Sequence, residues 1–143
     1  MNPDYLESIL GPDGCLTTAL AEGEEIVLRV AGECMKPDVG HQAEVRLKKP
    51  GFFVPGDLLA FRCSYQKRLL LHRFLGYVWR RGEWKLMTMA DHGNRPDPLL
   101  NASHVLGKVI ATDGRASRIT TTRRLESVRR YVVWCSRRII RGC

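Results

Sequence analysis

The chain has 143 residues, of which 44% are hydrophobic and 27% are charged, and this composition indicates one folded domain and excludes a disordered segment. Its formal net charge of +8 raises the question of a nucleic-acid or membrane partner. Its five cysteines form an odd set without a Cys-x-x-Cys pair, which argues against a closed disulfide framework or a zinc knuckle and favours reduced thiols in the cytoplasm.

The sequence also argues against an exported or anchored chain. Residues 1–14 lack the basic and apolar stretches of a signal peptide. No window approaches the run of about 20 apolar residues that crosses a bilayer. We therefore expect a cytoplasmic protein, with peripheral attachment as its only link to a membrane.

The positive charge is concentrated at the C-terminal end. Residues 112–143 hold nine arginines against two acidic residues, a net charge of +7, whereas residues 1–111 hold 14 basic and 13 acidic residues. The basic character therefore belongs to the C-terminal segment and not to the body of the protein.

Three regions follow one another along the chain. Residues 1–25 predict short helical turns at 2–10 and 15–21, separated by the turn cluster Gly-Pro-Asp-Gly. Residues 26–111 contain short runs of branched and aromatic residues, which are typical of strands. Strands are predicted at 26–31, 43–47, 58–63, 68–79, 84–89 and 105–110. Arg-Arg-Gly-Glu at 80–83 predicts a hairpin loop. We expect a mainly β domain, a small coiled antiparallel sheet or partial barrel.

The third region, residues 112–143, predicts a basic amphipathic helix at about 119–141. An apolar stripe recurs at steps of three and four, formed by Leu125, Val128, Val132, Cys135 and Ile139. Two roles stay open: the stripe packs on the sheet, or the arginine-rich helix docks on an anionic membrane surface or an acidic partner. We expect packing, because five apolar side chains in one stripe are costly to leave in water.

Cys34 is the candidate nucleophile, since it lies between a Gly-Glu step and a Met-x-Pro turn. A thiol attacks as the thiolate and needs a base, and that base needs an orienting acceptor. His72 is the candidate base, because a polar residue inside an apolar strand must find a partner or face a cleft. Asp91 and Asp97, in the polar turn 90–97, are the candidate acceptors. Residue types alone leave open whether His72 is merely structural.

Five segments, taken in order, resemble the sequence boxes of type I signal peptidases. They are Gly-Glu-Cys-Met-Lys-Pro at 32–37, Pro-Gly-Asp-Leu-Leu-Ala-Phe at 55–61, Leu-His-Arg-Phe at 71–74, Met-Ala-Asp-His-Gly-Asn-Arg-Pro-Asp at 89–97 and Leu-Gly-Lys-Val at 106–109. The family's counterparts are Gly-x-Ser-Met-x-Pro, Gly-Asp-hydrophobic-Val, a Lys-Arg or His-Arg pair, a Gly-Asp-Asn turn ending in aspartate, and Gly-x-Val. Five boxes in the right order are far more specific than one. The resemblance covers about residues 26–111.

The chain looks like the archaeal and endoplasmic-reticulum branch of that family, in which histidine is the general base. The resemblance implies that Cys34 replaces the nucleophilic serine, that His72 is the base and that Asp97 orients it. Asp91 and Asp57 fall on positions that we interpret as structural.

The resemblance also suggests the residues of the cleft. Gly32, Met35 and Pro37 are the candidate substrate-binding positions. Because Gly32 stands where many family members place a hydroxyl group, we expect the oxyanion to be bound by backbone N–H groups alone, and a missing donor can lower the rate by about 10²–10³-fold.

Together these features predict a soluble thiol endopeptidase that cleaves a leader or precursor peptide and uses neither cofactor nor metal. The alternative is an inactive peptide-binding module of the same fold, which the loss of the serine favours and the retention of His72 and Asp97 opposes. Nucleic-acid binding is disfavoured, because residues 1–25 are too short and too acidic for the DNA-reading domain of the related self-cleaving repressors. The oligomeric state is left open.

Overall fold

The computed structural model describes residues 5–8, 25–31, 39–40, 42–49, 51–63 and 68–140. The described chain is mainly β and ends in a helix. Its elements are β1 Tyr5–Ser8, β2 Ile26–Ala31, β3 Glu44–Lys48, β4 Leu58–Cys63, β5 Arg68–Arg80, β6 Glu83–Met89, a 3₁₀ turn Ala102–His104, β7 Val105–Thr112, β8 Arg115–Ala116 and α1 Thr121–Ile140. The mainly β fold with a C-terminal helix is thereby confirmed.

The strands form one antiparallel sheet in the order β1-β2-β3-β7-β4-β5-β6, with β8 beside β7. The sheet coils, because β1 pairs with two strands at once. Tyr5 lies opposite Ala31 of β2 and opposite Leu70 of β5. The backbone of β1 thus holds the C-terminal end of β2 close to the N-terminal part of β5.

Strand β1 corrects the prediction of helical turns at 2–10, at least over Tyr5–Ser8. Four residues carry little local preference, and the neighbouring strands offer partners for their backbone N–H and C=O groups. The turns predicted at 15–21 lie outside the described residues.

The predicted hairpin between β5 and β6 is present. Its two-residue loop consists of Arg81 and Gly82, with φ angles of 52° and 81°. Positive φ at both positions is the geometry of a type I′ turn, whose twist matches that of the flanking strands. A glycine meets this requirement without strain.

Neighbouring residues of β5 lie on opposite faces of the sheet. Leu71 belongs to one core cluster with residues of β2 and β3, whereas Leu70 and Phe74 belong to a second cluster with Leu100 and Val105. This alternation follows from the two-residue period of a strand. His72 therefore lies on the face of Leu70 and Phe74.

Helix α1 covers the other face of β5. Leu75, Met87 and Met89 form a third cluster, against which Tyr131 and Trp134 of the helix pack. The helix therefore packs on the sheet as expected.

The helical side that contacts the sheet differs from the predicted one. Leu125, Val128 and Val132 are 65%, 42% and 52% exposed, whereas Ser127 is 1% exposed. The expectation that the apolar stripe faces the sheet is wrong for these three residues.

The shape of the sheet explains the difference. The ring of Tyr131 lies so close to Gly76 that a Cβ added to this glycine would be 2.6 Å from the ring. Its hydroxyl group donates a hydrogen bond of 2.5 Å to the carbonyl oxygen of Tyr77. Arg124 meanwhile donates to the carboxylate of Asp57 at 3.2 Å. A flat aromatic ring and a guanidinium group thus fit this surface, and aliphatic side chains are left outside.

Trp79 and Trp84 are 58% and 60% exposed, although large aromatic side chains are usually buried to a high degree. They lie opposite each other at the tip of the hairpin and contact edge to face, with ring centroids 5.2 Å apart. The hairpin extends past the core at this point.

No helix in the described part of the chain has the length and the apolar character needed to cross a bilayer.

Candidate active site

The candidate site is built around His72, a polar residue in an apolar part of β5. Its side chain is only 11% exposed, and Phe61 lies edge-on to the imidazole with ring centroids 5.7 Å apart. A buried ring nitrogen requires a hydrogen-bond partner. The partner of His72 comes from the turn that follows β6.

Asp97 is that partner. Its Oδ2 lies 2.7 Å from Nδ1 of His72. The hydroxyl group of Thr88 donates to the same Oδ2 at 2.7 Å, and the backbone N–H of Asp97 donates to the carbonyl oxygen of Thr88 at 2.8 Å. Strand β6 thus fixes both the backbone and the carboxylate of Asp97. The contact expected between His72 and Asp97 is present.

This contact determines which nitrogen of His72 can act as a base. A carboxylate only accepts hydrogen bonds, so Nδ1 of the neutral ring carries the proton and donates it to Asp97. Nε2 is left with its lone pair. An imidazole held in this tautomer can take a proton from a nucleophile at Nε2.

Asp91 has a different partner, Arg73. The guanidinium group donates from Nε to Oδ1 at 2.7 Å and from Nη2 to Oδ2 at 2.8 Å, and Nη1 donates to the carbonyl oxygen of Gly56 at 2.8 Å. Both side chains are nearly inaccessible, at 3% and 4% exposure. Because His72 and Arg73 are neighbours on a strand, they lie on opposite faces. The turn 90–97 therefore supplies one aspartate to each face.

Asp57 lies on the face that carries the helix and does not contact His72. It is 2% exposed. Its Oδ2 accepts a hydrogen bond of 2.9 Å from the backbone N–H of Val54, and its Oδ1 accepts one from Arg124. These contacts join the turn before β4 to the start of the helix.

The remaining candidates are in the segment after β2. Cys34 and the cleft positions Gly32, Met35 and Pro37 lie outside the described residues. Within the described ranges, no group of three or more histidine, cysteine, aspartate or glutamate residues is arranged to hold a metal ion.

Sequence reasoning missed Thr88, which is 0% exposed and fixes the Asp97 carboxylate. The available signal was a hydroxyl residue within Leu-Met-Thr-Met, an otherwise apolar strand segment. A polar side chain in such a position needs a buried partner.

Comparisons with known proteins give no family assignment: neither a protein-family model nor a curated protein matches the chain. The arrangement of His72, Asp97 and Thr88 is therefore the basis on which a function can be argued.

Proposed function

We propose that the chain is a thiol endopeptidase similar to the histidine-dependent type I signal peptidases, and that it cleaves a leader or precursor peptide. Cys34 is the nucleophile, His72 the general base and Asp97 the residue that orients the base. The observation that carries this proposal is the distance of 2.7 Å between His72 Nδ1 and Asp97 Oδ2. A histidine paired in this way recurs on unrelated folds as the base of a nucleophilic triad.

The strand pairing supports a meeting of Cys34 and His72. Ala31 and Leu70 both pair with Tyr5, and strands with a common neighbour are about 10 Å apart. Both β2 and β5 are antiparallel to β1, so they run in the same direction. Cys34 follows Ala31 by three residues, a span of up to about 10 Å, and His72 follows Leu70 by two. These bounds allow the thiol to reach the imidazole.

The chemistry follows from the free nitrogen of His72. Nε2 takes the thiol proton of Cys34, and the thiolate attacks the scissile carbonyl carbon to form a C–S bond. The C–N bond then breaks, and the imidazolium returns the proton to the leaving amine. In the second step Nε2 takes a proton from water, the hydroxide adds to the thioester carbon, and the C–S bond breaks. The sulfur leaves as thiolate and recovers its proton from the imidazolium.

Asp97 contributes throughout this cycle without changing its protonation state. It keeps the proton of the neutral ring on Nδ1 and stabilises the imidazolium when it forms. Thr88 supports that role by fixing the carboxylate. General-base catalysis of this kind contributes about 10²–10⁴-fold to the rate, so Asp97→Asn should lose a comparable factor in cleavage.

The test uses a mixture of unstructured peptides prepared from a proteome. The full chain and its Cys34→Ala variant are each incubated with the mixture, and new peptide ends are identified by mass spectrometry. We expect new ends only with the unsubstituted protein, and the family resemblance leads us to expect small residues before the cleaved bond. Identical peptide profiles for the two proteins would contradict an endopeptidase.

The competing function, peptide binding without cleavage, has its own outcome in this experiment. Peptides retained equally by the unsubstituted protein and by Cys34→Ala, with no new ends in either sample, would favour the binding module.

We place the activity in the cytoplasm, because the odd number of cysteines without a paired spacing is typical of reduced proteins.

A further inference from the structure

The outward side of helix α1 carries an apolar surface. Leu125, Val128 and Val132 are separated by steps of three and four and therefore lie in one stripe. Each is more than two-fifths exposed. In the described part of the chain, nothing covers this outer stripe, because the helix packs on the sheet through Ser127, Tyr131 and Trp134.

Several arginines of the helix are already bound to acidic or carbonyl groups of the protein. Arg124 donates to Asp57, and Arg130 donates to Glu126 at 3.1 Å and to the backbone oxygen of Asp91 at 3.2 Å. Arg129 binds Glu126 through two hydrogen bonds. These pairs hold the pKa of Glu126 down at about 2, chiefly through the hydrogen bond from Arg129. Attraction to an anionic surface therefore needs other cations.

Such cations lie at both ends of the helix. Next to its C-terminal end, a cavity of about 420 Å³ is lined by Arg80, Arg81, Lys85, Leu99 and Arg138. Of these, Lys85 binds Glu83 and Asn101, but Arg80, Arg81 and Arg138 have no acidic partner among the described residues.

The N-terminal end of the helix adjoins a cavity of about 220 Å³, whose lining includes Arg115 and Arg118. Neither arginine has an acidic partner within the described ranges. The helix has 20 residues, a length of about 30 Å. The outer stripe is thus flanked at a distance by two groups of arginines that bind no acidic group among the described residues.

We propose that this side of the molecule docks on an anionic lipid surface. The outer stripe enters the interfacial region of the bilayer, and the arginines at the two ends bind lipid phosphate groups. An apolar stripe on a helix that lies parallel to the bilayer, together with nearby basic side chains, is the arrangement that favours interfacial binding. Each cation near such a surface contributes roughly fivefold to affinity, and salt screens this contribution.

A second copy of the chain fits this surface less well. Facing helices would bring the same arginines of both copies together, and like charges repel. Three side chains also provide little area against the about 800 Å² that each partner contributes to a stable interface. A nucleic acid would satisfy the arginines but would leave the outer stripe in water.

The proposal has a consequence for substrate access, which rests on the function proposed above. Helix α1 contacts the face of the sheet that carries Arg73, and His72 lies on the opposite face. A bilayer against the outer stripe would leave the His72–Asp97 pair directed away from the lipid. The peptide would then enter from the aqueous side and not from within the membrane.

The test is co-sedimentation of the full chain with vesicles at low and at high salt. One set of vesicles contains phosphatidylcholine alone, and the other also contains phosphatidylglycerol. Two variants are compared, Leu125→Ser/Val128→Ser/Val132→Ser and Arg80→Ser/Arg81→Ser. Each protein is thus measured with two kinds of vesicle at two salt concentrations. All of these measurements report lipid affinity and need no peptidase activity.

We expect binding to the anionic vesicles alone, with a steep loss at high salt. The triple serine variant should bind at least about tenfold more weakly, and the double arginine variant roughly 25-fold more weakly at low salt. Since all five positions are exposed, thermal melting should be unchanged, which distinguishes lost docking from lost folding. Unchanged vesicle binding in the triple variant would overturn the proposal.

Two further variants serve as controls. Lys48→Ser/Lys49→Ser removes the same number of exposed charges from β3 and its end and should alter binding by less than about twofold. Trp79→Ser/Trp84→Ser tests the opposite side of the hairpin, and a loss of binding in this variant alone would place the lipid there and contradict the proposal.

Other occupants have distinct outcomes. A dimer in sedimentation equilibrium that the triple variant dissociates, without vesicle binding, would identify a second copy. Binding to an RNA homopolymer or to polyglutamate, with none to the anionic vesicles, would identify a different partner. Either result would overturn the lipid proposal and would leave the peptidase proposal intact.

Discussion

Replacing Asp91 with asparagine is expected to destabilise the fold far more than the same replacement of Asp97, although both residues belong to one turn. Asparagine keeps the shape of the side chain and removes its charge. In Asp91→Asn, the buried guanidinium group of Arg73 would lose the carboxylate that it binds through two hydrogen bonds. In Asp97→Asn, the neighbours are the imidazole of His72 and the hydroxyl group of Thr88, neither of which is a permanently charged group.

The magnitudes follow from burial and from the bonds that are lost. Arg73 and Asp91 are 3% and 4% exposed and are joined by two hydrogen bonds. Removing one partner of a buried ion pair costs about 3–5 kcal/mol. Asp97 is 21% exposed and would lose one hydrogen bond, about 0.5–1.5 kcal/mol. Against a total stability of about 5–15 kcal/mol, only the first loss threatens folding.

The assay is urea unfolding at neutral pH, followed by tryptophan fluorescence, for the unsubstituted protein and both variants. A midpoint shift at constant slope reports a change in the free energy of unfolding. A cost below about 1 kcal/mol for Asp91→Asn, or equal costs for the two variants, would refute the assignment of a structural role to Asp91.

Two other predictions concern the helix. Gly76→Ala should lower the free energy of unfolding by about 1–3 kcal/mol, because the new Cβ would lie 2.6 Å from the Tyr131 ring. In the Tyr131→Ala background, Gly76→Ala should lower the free energy of unfolding much less. An equal loss in both backgrounds would contradict the contact between Gly76 and the Tyr131 ring. The pKa of Glu126 is lowered from 4.5 to about 2, so its pairing stabilises the folded state above about pH 4.5 and is lost as the pH falls towards 2. NMR titration of the Glu126 carboxyl group should show this low midpoint, and the midpoint should rise in Arg129→Gln. An ordinary midpoint in the unsubstituted protein would contradict the ion pairs of Glu126 with Arg129 and Arg130.

The sequence was sufficient for those parts of the fold that depend on local pattern. The predicted strands 26–31 and 58–63 match β2 and β4, because each is a short run of mostly apolar residues rich in branched or aromatic side chains. The helix was also predicted from its period, but the side that contacts the sheet was not. That choice depends on the space above Gly76 and on the carboxylate of Asp57, neither of which is visible in a helical pattern.

The candidate site was predictable only in part, for a similar reason. His72 stood out as a polar residue in an apolar strand, and the family resemblance selected Asp97 over Asp91 as its partner. The separation of the two aspartates onto opposite faces depends on how the turn 90–97 crosses the sheet. Thr88 was missed because its role arises from a contact across that turn.

The most direct test of the proposed mechanism is the rate at which iodoacetamide alkylates each cysteine at neutral pH. The full chain is compared with His72→Ala and Asp97→Asn, and labelled peptides are quantified by mass spectrometry, with the half-buried free thiol of Cys135 as the internal reference. A base beside the thiol increases the thiolate fraction, so Cys34 should react faster than the other four cysteines and should slow by about tenfold or more in His72→Ala. Equal rates for Cys34 in the unsubstituted protein and in His72→Ala would contradict the proposed triad.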